Sequence, residues 1–191
     1  LKRICALVFS FFLLVGSLVG QVTNWAPDTT AYHTDVLLWS YTALDKVFDI
    51  TAGMRNEIGL CGFGHVSSDT AFVDDVQFPG NQYSSSGAVV MNVCPEGTFL
   101  LWHNHPYDAV ADSAIGFNRP AELCQLSWSD VVTAQKMGAA WVSVATATSD
   151  TLWLCWWSKN QVDSAFHGPA KSLPRVKFQG LIGTRRLEPS I

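Results

Sequence analysis

Two histidines one residue apart, His103 and His105, end an apolar run and are followed at once by Pro106. On an extended chain residues i and i+2 lie on the same side, so both imidazoles are offered to one point at the end of a strand. That arrangement suits a divalent metal ion. Two other stretches carry side chains that could complete such a site. Upstream, Glu57 opens the glycine-bearing apolar run Glu-Ile-Gly-Leu-Cys-Gly-Phe-Gly; downstream, Ser127-Trp-Ser-Asp130 precedes the helical pattern Val-Val-Thr-Ala-Gln-Lys-Met-Gly. Read alone, Ser127 with Asp130 is an ordinary helix N-terminus, the serine capping and the acid favoured by the helix dipole. Beside His-x-His-Pro, Asp130 is also a candidate third ligand. Asp108 and Asp112 are its rivals, although neither opens a helical pattern that would hold its carboxylate in place. His33, His65 and His167 have no partner at a recognisable spacing and read as structural or exposed, with His65 the first to reconsider.

The elements that must position these residues follow from periodicity. Val36, Leu37, Tyr41, Leu44, Val47 and Phe48 recur at three- and four-residue spacing, which predicts an amphipathic helix over 35–49. Short strand patterns follow at 57–66, 71–78 and 87–92, separated by the turn clusters Ser67-Ser68-Asp69 and Pro79-Gly80-Asn81, and the motif strand spans 98–103. A helix over 127–138 precedes two more strands at 141–147 and 152–157. Residues 107–126 show no sustained period, and a loop of that length in a compact domain is usually functional or disordered. Trp39, Trp102, Trp141 and Trp153 sit in periodic segments and read as core. Trp128, between Ser127 and Asp130, is the candidate for substrate contact. Trp156 and Trp157 are adjacent on a strand, so one is expected to face outward.

Composition sets the setting. Of 191 residues, the first twenty begin with Lys2 and Arg3, run apolar from Ile4 to Val15 and finish in small residues around Gly16, Ser17 and Gly20. This is a signal-peptide pattern, either cleaved or kept as an N-terminal anchor. No cysteine follows where a lipoprotein signal needs one. Residues 21–34 read as a flexible segment, 35–158 as one domain with 107–126 inserted, and 159–191 as a basic tail. Cys61, Cys94, Cys124 and Cys155 are even in number and bound for an oxidising compartment, so two disulfides are possible in three connectivities, with buried thiols as the alternative. No Cys-x-x-Cys pair points to a cysteine zinc site. The net charge of −4 hides an asymmetry, because 21–158 holds fourteen acids against only Lys46, Arg55, Arg119 and Lys136. An acidic body repels polyphosphate and argues against nucleic acid as partner.

A glutamate on a strand, His-x-His-Pro closing another and Ser-x-x-Asp opening a helix together resemble the JAMM (MPN+) zinc metalloprotease family, and the Asn between the histidines is similar to its RadC-like branch. The likeness runs from about Asp35 to Trp157. It implies an α/β fold of the mixed α+β kind, a single domain whose central mixed β-sheet is flanked by helices, like that of cytidine deaminases. It implies one Zn2+ held by His103, His105 and Asp130, Glu57 as general base and Ser127 as donor to the oxyanion. One departure is plain: in the family Ser-x-x-Asp follows the His-Pro closely, whereas here 107–126 intervenes, either as an insertion or because the third ligand lies elsewhere. Two histidines and a carboxylate also accept iron or manganese. The implied activity is hydrolysis of an amide or isopeptide bond outside the cytoplasm, in a bacterial or phage-encoded protein, with a peptide, protein or cell-wall peptide as partner and the insertion as specificity loop or lid. A membrane would be met only through an uncleaved leader, and oligomeric state stays open. A non-catalytic binding or assembly module and a metal-binding protein without hydrolytic role are the other classes.

Overall fold

The computed structural model describes residues 26–108, 123–148, 151–168 and the backbone of 181–184. The expected leader, Asp112 and most of the expected insertion therefore lie outside the described residues. The domain begins earlier than its apolar periodicity indicates. Asp28 caps a short 3-10 helix, Thr29–His33, and Ala31 and Thr34 are buried. Trp141 Nε1 donates to Thr34 Oγ1 at 3.0 Å and the Tyr32 hydroxyl donates to the Gly138 carbonyl at 2.6 Å. The second half of the expected flexible segment is thus fastened to the body.

The helix expected over 35–49 divides in two. Val36–Trp39 forms strand β1, and helix α1 covers Tyr41–Gly53. Ser40 separates them, its Oγ accepting from Ala43 N–H as an N-cap, which ends the helix on that side. The apolar residues before the cap are taken up by the sheet edge, β1 pairing parallel with β3 (Thr70–Gln77). Strand β2, Gly59–Ser67, pairs antiparallel with β3 and, on its other side, with β6, Leu100–Asn104. A bulge at Phe63/Gly64 bends β2 where the Phe72 carbonyl would lie 1.7 Å from a Cβ on Gly64, an approach only glycine permits. A separate hairpin, β4 (Gln82–Ser85) and β5 (Ala88–Met91), replaces the single strand expected at 87–92.

Beyond β6 come α2 (Trp128–Met137), β7 (Trp141–Ala147), β8 (Thr151–Ser158), α3 (Lys159–His167) and β9 (Leu181–Thr184). Seven strands lie in the order β1-β3-β2-β6-β7-β8-β9, with β1/β3 and β6/β7 parallel and the other pairs antiparallel. The fold is therefore mixed α+β, a large mixed sheet flanked by helices. Helix α1 buries Ala43 and Val47 against Leu60, Trp102 and Leu154 on one face; α2 and α3 bury Val131, Ala134, Val162 and Ala165 against Val144, Cys155 and Trp157 on the other.

Helix α3 extends the packed body past Ser158 into the segment expected as a basic tail. Its Lys159 and Asp163 pair at 3.0 Å on the outer side while Val162, Ala165 and Phe166 form an inward stripe, so charge composition conceals an amphipathic helix. The same two-sided cover corrects the expectation for Trp156 and Trp157. Trp157 is fully buried under α2 and α3, and Trp156 packs against the α1-side core, so neither is an outward-facing aromatic. No helix among the described residues is long and apolar enough to cross a membrane. The cysteines pair as Cys61–Cys94 and Cys124–Cys155.

Candidate metal centre

Strand β6 alternates its faces. Leu100, Trp102 and Asn104 are set toward the α1 side, Leu101 and His103 toward the α2 side, and His105 follows His103 just past the strand end. The two Nε2 atoms are 3.0 Å apart. Pairing of β6 with β7, together with the bond from His105 N–H to the Ala145 carbonyl at 2.7 Å, keeps the chain extended through the second histidine. Helix α2 then brings Asp130 to the same point, with Oδ1 3.6 Å from His103 Nε2. Among the described residues, His103, His105 and Asp130 form a group whose donor atoms all lie within 4.8 Å of one another. Asp108 instead lines a larger cavity of about 630 Å³ with Arg55, Ser86 and Tyr107.

Two of the three donors, His105 and Asp130, are oriented by an outer partner. His105 Nδ1 lies 2.6 Å from the Leu123 carbonyl, which can only accept, so the proton is on Nδ1 and Nε2 presents a lone pair. Asp130 divides its carboxylate. Oδ2 accepts from Ser127 N–H and from Ser127 Oγ, both at 2.7 Å, leaving Oδ1 toward the histidines. Ser127 is at the same time the N-cap of α2, in a reciprocal capping box with Asp130. The cap leaves Asp130 Oδ1 toward the histidines and is therefore compatible with a ligand role. Burial pushes the His103 imidazole down to about 4, Asp130 opposing and the neighbouring His105 adding to the effect. At neutral pH no proton competes for its lone pair. Two imidazoles and one carboxylate, oriented this way, could hold a divalent ion.

Glu57 stands on the far side of His105, Oε1 4.0 Å from Nε2. It lies just before β2 rather than within it, and the β4–β5 hairpin holds it there. Glu57 N–H donates to the Ser85 carbonyl at 2.7 Å, Ser84 Oγ donates to the Glu57 carbonyl at 2.6 Å, and Val89 N–H bonds the carboxylate. Gly59 lets Met91 of the hairpin lie directly on β2, since a Cβ there would come within 2.2 Å of the Met91 sulfur. Burial raises the Glu57 carboxyl above its ordinary range, His105 opposing and Asp130 reinforcing. A raised carboxyl beside a metal position holds a proton more readily than an ordinary glutamate, which suits it to proton transfer.

Asn104, between the two histidines, is wholly buried and works on the opposite side of the strand. Its Oδ1 accepts from Ile58 N–H at 2.5 Å and its Nδ2 donates to the Asn56 carbonyl at 3.3 Å, bracketing Glu57. Residue types point to the ligands but not to these supports, because a carbonyl such as that of Leu123 leaves no mark in a sequence. Trp128 is 45 % exposed and stacks on Phe166 with ring centres 6.0 Å apart, so one face of the expected substrate contact is occupied by α3. His65 is exposed, stacked on Phe72 and 2.6 Å from Asp74, outside this group. A small pocket of about 100 Å³ takes in His103, Asp130 and Thr133 on one part and Val89, Met91 and Leu101 on another, so its lining is mixed. Against known proteins, the chain matches no family model and no curated sequence.

Proposed function

We propose that the chain is a zinc-dependent hydrolase of the JAMM type that cleaves an amide or isopeptide bond. The observation that carries this reading is the convergence of Nε2 of His103, Nε2 of His105 and Oδ1 of Asp130, with Glu57 4.0 Å from His105. A zinc ion at such a donor set supplies a Lewis acid that brings the pKa of a water to about 7. Glu57, half-buried and bracketed by Val89 and Asn104, takes the proton of the attacking water and returns it to the leaving amine. Ser127, whose hydroxyl rests on Asp130, turns it toward the carbonyl oxygen as charge develops there, a contact of a few kcal/mol in comparable sites. The small mixed-lined pocket between β5 and α2 gives part of the substrate a place beside the metal position. Two disulfides support action in an oxidising, exported setting, and a peptide or protein, cell-wall peptide included, is the substrate class that follows.

Elemental analysis of the purified protein, beside His103→Ala, Asp130→Ala and Glu57→Gln, tests this. About one zinc per chain is expected in the wild type and in Glu57→Gln, with little in the other two. Turnover of peptide and isopeptide substrates is expected in the wild type alone. Zinc without turnover in any of them would leave a metal-binding module, and turnover by Glu57→Gln would remove Glu57 as base.

A further inference from the structure

Asp130 has to return to the end of β6 after a long excursion from Pro106, and closing so long a loop carries an entropic cost. The structure shows what receives its far end. Cys124 is disulfide-bonded to Cys155 of β8, and its Sγ lies 3.8 Å from the Val144 carbonyl. Cys155 is paired in the sheet with Val144, and Val144 with His103, so the anchor and the first ligand stand in one row across three strands. The residue before Cys124 is Leu123, whose carbonyl holds His105 Nδ1, and Gln125 N–H donates to that same carbonyl at 2.9 Å. Three residues after Cys124 is Ser127, which holds Asp130 Oδ2. One crosslink thus lies between the outer partners of two different ligands. Cys61–Cys94, by contrast, has no such partner next to either of its halves in the chain.

We propose that the Cys124–Cys155 disulfide is a positioning element of the metal centre. Formed, it holds the Leu123 carbonyl and the Ser127 cap where they orient His105 and Asp130, so metal affinity depends on the oxidation state of this crosslink and not on that of Cys61–Cys94. The inference rests on His103, His105 and Asp130 being metal ligands.

Zinc affinity, measured by competition with a chromogenic chelator, is compared between the wild type, the C124A/C155A double variant and the C61A/C94A double variant. Loss of outer partners weakens metal sites by about 10- to 100-fold, the decrease expected for C124A/C155A. C61A/C94A, whose cysteines adjoin no outer partner of a ligand in the chain, is expected to lose clearly less than C124A/C155A. A folded C124A/C155A variant with wild-type affinity overturns the proposal.

A second measurement on the wild type needs no variant to fold. Each disulfide is equilibrated with dithiothreitol, which gives it two electrons and two protons while the reagent's own thiols close to a cyclic disulfide. The fraction reduced is mapped by alkylation, with and without one equivalent of zinc. Coupling is reciprocal, so zinc favours the oxidised Cys124–Cys155 pair by the same factor, about 30 to 60 mV in midpoint. A midpoint that zinc leaves unmoved, or a shift shared equally by Cys61–Cys94, overturns the proposal. In the metal-free protein, nitrogen NMR is expected to find His105 in its Nδ1–H tautomer with the disulfide formed, and a mixture of tautomers once it is reduced. An unchanged tautomer counts against the proposal. A wild type that binds no zinc removes the ligand assignment and this inference with it, whereas normal zinc binding that ignores the crosslink removes this inference alone.

Discussion

Asn104→Ala separates the support of the site from its chemistry. The Asn104 side chain is completely buried and makes two bonds to the segment carrying Glu57, at 2.5 Å from Ile58 N–H and 3.3 Å to the Asn56 carbonyl. Truncation leaves the Ile58 amide without that acceptor, and a buried donor left unsatisfied costs about 1 to 3 kcal/mol. Asn56 is exposed, so water replaces the longer bond and its loss counts for about 0.5 kcal/mol. The volume vacated beside the core adds about 1 kcal/mol. The sum is about 3 kcal/mol. Urea unfolding of the metal-free protein, both disulfides intact, reads it directly. With a slope of about 2 kcal/mol per molar, the midpoint falls by about 1.5 M. Hydrogen exchange localises the effect, the Ile58 amide losing protection while the parallel bond from Asn104 N–H to the Ile58 carbonyl, 3.2 Å, stays in place. A midpoint shift under about 0.3 M, with the Ile58 amide as protected as before, would refute the assigned role, because the penalty of an orphaned buried donor could not then be present.

Other perturbations probe neighbouring parts. Ser127→Ala removes both the N-cap and one of the bonds to Asp130 Oδ2; stability is expected to drop by about 1 kcal/mol on urea titration and zinc affinity about tenfold in chelator competition. Gly64→Ala drives a Cβ into the Phe72 carbonyl and is expected to cost about 3 kcal/mol or more, visible as a lowered melting temperature; an unchanged one would place the bulge elsewhere. In the metal-free protein, His103 sits at about 4 when folded against about 6.5 unfolded, so the unfolded chain binds the proton first. Its contribution is complete above pH about 6.5 and is lost as pH falls toward 4, by about 3 kcal/mol at most. Glu57, raised by burial, acts in the opposite sense and gains a proton more readily folded than unfolded. Urea midpoints across that window are therefore expected to fall with acid, and to fall further in Glu57→Gln; a flat profile would contradict the burial of a neutral His103.

Local rules explain what can be read from the chain directly. The period of two along β6 puts His103 and His105 on one side whatever surrounds them, and the capping pattern Ser127-x-x-Asp130 starts α2 whatever the helix packs upon. Strand β7 was equally legible, a β-rich run bounded by Gly138, which caps α2 in the αL conformation, and by polar residues in the sequence after Ala147. Less legible were elements whose patterns suit two structures. Val36–Trp39 continues the spacing of α1, and only an available edge on β3 makes it a strand. Gln82–Ser85 is too polar to announce β4, yet that hairpin holds Glu57. Charge masked α3 in the same way. Asp130 was already preferred to Asp108 on the helical pattern it opens, whereas the pairing of Cys124 with Cys155 and the carbonyl that sets the His105 tautomer belonged to the tertiary structure alone. Residue type and spacing decide which face of its own element a side chain occupies; which atoms distant in the chain come within 3 Å of it depends on how the sheet is ordered, and every segment contributes to that order.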